Sequence, residues 1–311
     1  MINNRICPIT YLNLKSNETY SLKGLHMLSP RLQNLQTLPY TAEQQRIESR
    51  LRADKISIQG VQPKLSVKLN VSQGVFVLAD LGGTYILKPQ NDLYKELPEN
   101  EDLTMRLAAS LIEVPLHGLL YCVDGSYTYF IKRFDRTPKF NKLAVEDFAH
   151  LAGRNRDTKY DYSMEKIIPI IEEYCTFPAV EKIKLFMRVL FNYLIGNEDM
   201  HLKNYSLITR DKIIQLAPAY DFINTTLVIR DAKEQIALPI NGKKNNLTHK
   251  DLIEYYGHNK LGLSVNIIDD ILYKLKQNIP LWHAMIEISF LSQDFKQRYM
   301  QILDARCKVL L

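Results

Sequence analysis

Apolar and polar positions alternate with a period of two in short runs between about residues 55 and 134, and with a period near 3.6 through most of the chain from about residue 145. Between about residues 55 and 134 the alternation predicts strands. Ser66–Val71 and Val75–Ala79 flank a short turn containing Gly74, and Thr84–Lys88 follows Gly82-Gly83. Leu119–Val123 and Tyr127–Lys132 flank Asp124-Gly125, a dipeptide suited to the positive φ of a tight hairpin. One helix interrupts the strands. Glu99–Ile112 carries Leu103, Leu107 and Leu111 at four-residue spacing and acids in its first turn; Pro98 precedes it and Pro115 ends it.

From about residue 145 the pattern is mainly helical. Ala179–Ile195 places Ile183, Phe186, Leu190 and Leu194 on one face, and Gly196 is a suitable stop. A hairpin follows, with Tyr205–Ile208 and Ile213–Leu216 around Arg210-Asp211-Lys212. Ile267, Ile268, Ile271, Leu272 and Leu275 mark a further helix, and Ala284–Leu303 reads as the last. The expectation is an α+β chain of two lobes, β-rich over residues 1–134 and helical over 135–311. The first 54 residues show no clear period and are expected to form a packed extension.

Composition narrows the class. At 311 residues, 46% hydrophobic and 24% charged, the chain has ample length for a core and an ordinary globular balance. No apolar run approaches a membrane span, and MINNRICPITYLNL lacks the basic, apolar and small-residue succession of a signal peptide, so a cytoplasmic protein is expected. Cys7, Cys122, Cys175 and Cys307 are too scattered for a zinc ribbon or disulfide framework. A net charge of +6, spread along the chain, would suit an anionic ligand such as a nucleotide phosphate. No basic arm or helix-turn-helix stands out to indicate DNA.

The chemistry concentrates in IGNEDMHLKNYSL, Ile195 to Leu207. Asp199 and Asn204 stand five apart, the Asp-x-x-x-x-Asn spacing of the kinase catalytic loop. There an Asp faces an attacking hydroxyl as base while an Asn faces Mg²⁺, and one short anchored loop can hold both. In APAYDF, Asp221 lies 17 residues beyond Asn204, where a second Mg²⁺ ligand is needed; Ile223 stands where a regular DFG motif has glycine. Upstream, Lys88 ends TYILKP and could reach nucleotide phosphates, with Glu101 as its helix partner and Glu99 nearly as good on spacing. SIQGVQPKL, Ser57 to Leu65, supplies a turn with Gly60 whose backbone N–H groups could face phosphates, with Lys64 beside it; it is neither GxGxxG nor a Walker A sequence.

SIQGVQPKLSV, YILKP, PENEDLTMRLA, IKRFDR, VEDFAHLAG, GNEDMHLKNYSL and APAYDF together resemble the HipA-type serine/threonine kinases of bacterial toxin–antitoxin systems, over about residues 55–300. The resemblance implies a two-lobed protein-kinase-like fold and use of ATP with Mg²⁺. It implies Asp199 as catalytic base, Asn204 and Asp221 as Mg²⁺ ligands, Lys88 as the phosphate-binding lysine and His201 beside the nucleotide. FIKRFDR would be the inter-lobe hinge, with the backbone of Lys132 and Phe134 holding adenine. Only 54 residues precede Lys55, fewer than in full-length HipA proteins, so the chain looks like the short HipT kinases of three-component systems. Small HipS-like and DNA-binding HipB-like antitoxin partners are then expected, with an aminoacyl-tRNA synthetase as substrate and stalled translation as outcome.

The family also suggests autophosphorylation in the Ser-x-x-Gly loop. Ser57 is the matching serine, and Gln59 occupies the place of a second one found in some relatives, so a single principal site is expected. A phosphate there would add about −1.5 to −2 charge beside the ATP phosphates. Three other readings compete. A small-molecule kinase of the aminoglycoside or choline type shares the Asp-x-x-x-x-Asn logic, often with a His two residues after the Asp, as His201 follows Asp199; the glycine-loop and hinge motifs speak against it. A non-catalytic binding module would not need every acting residue present. A nucleic-acid-binding protein has only the mild positive charge in its favour. Lys159, Lys203 and Arg156 could meet substrate or nucleotide, with Lys203 a candidate phosphate contact, although surface solvation is the default reading for such cations.

Overall fold

The computed structural model describes residues 5–52, 62–137, 142–229 and 232–311. The chain separates into two compact units. The first gathers Met1–Leu103, Pro115–Arg136 and Ile288–Leu291; the second gathers Thr104–Val114, Thr137–Glu287 and Ser292–Leu311. The first is β-rich and the second mostly helical.

The first unit is built on five strands: β1 (Leu65–Asn70), β2 (Val75–Leu78), β3 (Tyr85–Pro89), β4 (His117–Tyr121) and β5 (Tyr127–Lys132). They form one antiparallel sheet in the order β2-β1-β3-β5-β4. Turn chemistry sets the hairpins. Gly74 and Gly125 sit at φ +64° and +79°, which side-chain-bearing residues resist, and Asp124 Oδ1 accepts from the Ser126 N–H at 3.1 Å. Alternation then sorts the faces of β3. Tyr85 and Leu87 point into a core with Val67, Phe76, Leu120 and Phe130, whereas Lys88 belongs to the other face.

The expected N-terminal extension covers the Leu87 face. Cys7, Ile9, Tyr20, Leu25, Leu28, Leu32, Leu35 and Leu38 are buried in that same core. Gly118 allows the approach: a Cβ there would lie 2.9 Å from the Phe130 ring and 3.2 Å from Ile9 Cα. Helix α1 (Leu22–Leu28) is capped by Ser21, and α2 (Ala42–Leu51) by a reciprocal capping box between Thr41 and Gln44.

Helix α3 (Leu97–Ala108) differs from the expected Glu99–Ile112. Its first turn already contains Pro98, tolerated there because no intrahelical partner is needed for its nitrogen. Beyond Ala108 the regular ladder mixes with tighter bonds, Leu111 N to Ala108 O at 2.9 Å beside Ile112 N to Ala108 O at 2.8 Å, and Ser110 Oγ donates to Leu107 O at 2.8 Å. Residues to Leu103 belong to the first unit and those from Thr104 to the second.

In the second unit β6 (Val145–Asp147), β7 (Ser206–Arg210) and β8 (Ile213–Leu216) form a small antiparallel sheet in that order. Around it lie α4 (Phe148–Leu151), α5 (Met164–Tyr174), α6 (Pro178–Ile195), α7 (Thr225–Val228), a π-helical segment (Lys250–Lys260), α8 (Val265–Ile288) and α9 (Gln293–Leu310). Helix α6 is apolar almost all round its last three turns and is buried accordingly. The single helix expected over Ala284–Leu303 is two. Ser292 adopts an extended backbone (φ −63°, ψ 160°) and starts α9 afresh, while Phe290 packs edge-on against Tyr11 and Tyr127 of the first unit. No helix among the described residues is long and apolar enough to cross a membrane. All four cysteines are free thiols, three of them buried.

Candidate functional site

Two clusters of the expected site residues form, one in each unit. In the first, the register of β3 against β5 sets Lys88 opposite Tyr129. Lys88 Nζ lies 2.5 Å from Glu101 Oε1 on α3 and 5.6 Å from the Tyr129 ring centroid. The side chains of Lys88 and Glu101 are 2% and 0% exposed. Desolvating two charges is costly, and close opposite charge offsets part of that cost. Glu99, the alternative on spacing, lies elsewhere on the helix. Its Oε2 is buried and accepts no hydrogen bond from the described residues. Burial raises its carboxyl to about 7, with the charges of Glu96 and Asp102 adding to the shift.

Of the remaining first-unit candidates, Lys132 is exposed at the end of β5 and Phe134 is half-buried just beyond it. The Lys64 backbone is tied to Ser49 of α2, its N–H donating at 2.9 Å. Ser57 and Gly60 lie outside the described residues.

In the second unit the residues of the Asp-x-x-x-x-Asn loop are organised by the end of α6. Gly196 takes φ +74°, ψ 39° and turns the chain out of the helix. Asn197 is 1% exposed; its Nδ2 donates to Asn192 Oδ1 at 2.8 Å, and its Oδ1 accepts from the Asp199 N–H at 3.0 Å. The Glu198 N–H donates to Thr225 Oγ1 at 2.6 Å. The Asp199 carbonyl then accepts from His201 N at 2.9 Å and from Asn204 Nδ2 at 2.8 Å. Asp199 and Asn204 are thereby fixed to each other through the main chain, while the Asp199 carboxylate stays 54% exposed. The Tyr160 hydroxyl donates to its Oδ1, and His201 Nε2 lies 3.9 Å from the same oxygen. Burial pushes the His201 imidazole below its usual range, with the nearby Asp199 charge opposing and Lys159 reinforcing that shift. Lys203 Nζ lies 3.4 Å from Asp147 Oδ2.

Asp221 ends a segment held firmly from beneath. Buried Arg188 donates through Nη2 to the Ala217 carbonyl at 2.6 Å, and buried Glu181 accepts from the Leu216 N–H at 2.9 Å. Asp221 is half-buried in the left-handed region, φ +57°, followed by Phe222 packed on Phe191 at 5.5 Å. A left-handed aspartate is uncommon and worth about 1–3 kcal/mol of backbone strain, which the flanking anchors hold in place.

By donor chemistry Asn204 and Asp221 suit a hard cation. Asn204 donates through its amide nitrogen, which leaves its oxygen as the end suited to a metal, and Asp221 supplies a carboxylate. Mg²⁺ takes one or two protein carboxyl or amide oxygens and completes its shell with phosphate and water. A dedicated protein cage is absent: no group of three His, Cys, Asp or Glu side chains among the described residues is placed to hold a metal.

Asn197, Tyr129 and Tyr160 escaped sequence reasoning. Asn197 sits just past the end of α6, where an Asn side chain can bond nearby backbone groups. The other two act only through tertiary contacts.

The family model described as the HipA-like C-terminal domain matches residues 56–282. The chain belongs to that family. Among similar proteins, a Haemophilus influenzae protein with a provisional kinase name is 29% identical over 293 residues, spanning 84% of either chain. The serine/threonine-protein kinase toxin HipA of Shewanella oneidensis is 27% identical over 281 residues, spanning 82% of this chain and 64% of the toxin. A chain of the solved Shewanella oneidensis complex of HipA, HipB and operator DNA matches with a TM-score of 0.71 at 24% identity, over 90% of this chain and 73% of that one. That likeness speaks to the fold.

Proposed function

We propose that this chain is an ATP-dependent serine/threonine protein kinase and the toxin of a toxin–antitoxin system, of the short HipT kind. The buried Lys88–Glu101 pair carries the reading. A strand lysine held by a helix glutamate is what a protein kinase uses to present a fixed ammonium to nucleotide phosphates. A chain needing only a stable core would do as well with apolar residues at both positions. Family membership and a relative named as a toxin kinase support it further.

In this reading Asp199 is the base. It accepts the proton of a serine hydroxyl as that oxygen bonds to the γ-phosphorus and the bond to the β–γ bridging oxygen breaks, leaving ADP. Asn204 and Asp221 hold Mg²⁺, which when bound offsets phosphate charge. Lys88 orients the phosphates, the backbone of Lys132 and Phe134 holds adenine, and His201 supports the nucleotide side of the loop. Ser57 and Gly60 belong to the phosphate loop, and Ser57 is the principal autophosphorylation site. The acceptor is a serine of an aminoacyl-tRNA synthetase, so that phosphorylation stalls translation; HipB-like and HipS-like proteins are the antitoxin partners.

The test is label transfer from ATP, with Mg²⁺, into a cytosolic extract, followed by mass spectrometry of the labelled band. Asp199→Asn should reduce transfer by about 10³-fold or more while ATP affinity stays within a few-fold. Transfer at the parental rate by that variant would remove Asp199 as base. Intact mass should show one added phosphate in the parent and none in Ser57→Ala.

A further inference from the structure

The catalytic loop fixes the main chain of Asp199 but not its carboxylate. The carbonyl of Asp199 is held twice and its N–H once, all from within residues 197–204. Its carboxylate is 54% exposed, and an exposed Asp is free to turn about the bond to its carboxyl carbon. A base must instead present one oxygen to an incoming hydroxyl within a narrow range of distance and angle.

The restraint comes from the chain between α4 and α5. There the Lys159 carbonyl accepts from the Leu202 N–H at 3.3 Å, which ties this segment to the catalytic loop. The next residue, Tyr160, donates its hydroxyl to Asp199 Oδ1. Its ring stands edge-on to His201, with centroids 5.0 Å apart and planes at 84°. Lys159 Nζ and Lys244 Nζ lie over the ring at 5.0 and 6.0 Å from its centroid. The ring is 37% exposed, and these contacts on its edge and face restrain where its hydroxyl lies.

We infer that Tyr160 is a positioning residue for phosphoryl transfer: by holding Asp199 Oδ1, it turns Oδ2 toward the acceptor hydroxyl. Partial burial and the adjacent Asp199 charge both push the phenol's titration upward, so it remains a donor through the neutral range. The inference rests on the kinase reading above and adds a residue outside the catalytic-loop motif.

The decisive variant is Tyr160→Phe, which keeps the ring against His201 and Lys159 and removes only the donor. Initial rates of label transfer from Mg·ATP would be measured on the full chain, with a fixed amount of cytosolic extract as acceptor. The expected result is a 10- to 100-fold fall in kcat, with KM for ATP within twofold and the thermal transition unchanged. Tyr160→Leu should fall no further in kcat per folded molecule. A Tyr160→Phe rate equal to the parent's would reduce Tyr160 to ring packing, and a faster rate would make it a restraint on the base; either overturns the inference. Parent activity lost in Asp199→Asn secures the kinase reading independently, so a Tyr160 failure against that background counts against this inference alone. A parent chain that transfers no phosphate overturns both.

Discussion

The two units handle charge in opposite ways. In the first, Lys88 and Glu101 are dry, 2% and 0% exposed, and touch each other directly. In the second, the Asp199 carboxylate is 54% exposed and accepts from the Tyr160 hydroxyl, while loop hydrogen bonds hold the Asp199 main chain. The difference follows from the tasks proposed for them. A phosphate anchor works best as a fixed charge whose surroundings do not rearrange. A base must meet a hydroxyl arriving from outside, so it cannot be buried and has to be aimed by neighbours. Backbone elements supply the first kind of rigidity, a strand in mid-sheet and a helix over it. Loop chemistry supplies the second: a left-handed glycine, Asn197, Asn204 and Tyr160.

The sharpest way to break the comparison is to remove half of the dry pair. Glu101→Leu takes away the carboxylate 2.5 Å from a buried ammonium. The expected loss is about 3–5 kcal/mol, read as an earlier denaturant midpoint in the transition of the first unit. Replacing both members, Lys88→Met with Glu101→Leu, should recover most of that stability and none of the transfer. If the double variant were as unstable as the single one, packing rather than uncompensated charge would be the cause.

How far each kind of rigidity could be read from the sequence differs in the same direction. The strand Tyr127–Lys132 and its Asp-Gly turn carry both period and turn chemistry, and the structure has that strand between the same residues. The choice of Glu101 over Glu99 depends on the helix phase. Two residues are about 200° apart around a helix, so only one can meet Lys88, and the start of α3 was placed two residues late. The division of the last helix was illegible because apolar residues continue at helical spacing through Leu291. Tyr160 is 39 residues from Asp199, in a polar stretch with no period. Tyr129 reads as one more alternating strand residue, since its position against Lys88 depends on a register that one sequence does not contain.

A smaller effect tests the loop. Gly196 has φ +74°, and a Cβ there would sit 2.9 Å from Thr226 Oγ1 and 3.0 Å from Ile302 Cγ2. Gly196→Ala should cost about 1–3 kcal/mol and shift the start of the catalytic loop. Transfer should fall about tenfold beyond any loss of folded protein, because a displaced base loses its alignment. A stability loss with full specific activity would show that the loop's own hydrogen bonds suffice to aim Asp199 without the glycine.

The smallest effect returns to the first unit, where α3 carries a second carboxylate under opposite conditions. Glu101 meets an ammonium, whereas Glu99 faces burial and the like charges of Glu96 and Asp102. Its carboxyl is therefore raised from an ordinary 4.5 to about 7. A group raised on folding holds its proton longer in the folded state than in the unfolded one. Its stabilising contribution is complete below about 4.5 and is lost as pH rises through about 7. Glu99→Gln cannot ionise, so its stability should fall less than the parent's between pH 5 and pH 7.5. Urea midpoints at those two values measure the difference directly. Parallel shifts in parent and variant would mean that Glu99 ionises freely and that the dryness of this unit is confined to the surroundings of Lys88 and Glu101. A flattened profile would extend the dry region along α3 to its first turn, where a carboxyl that holds its proton is the natural counterpart to the exposed and guided carboxylate in the second unit.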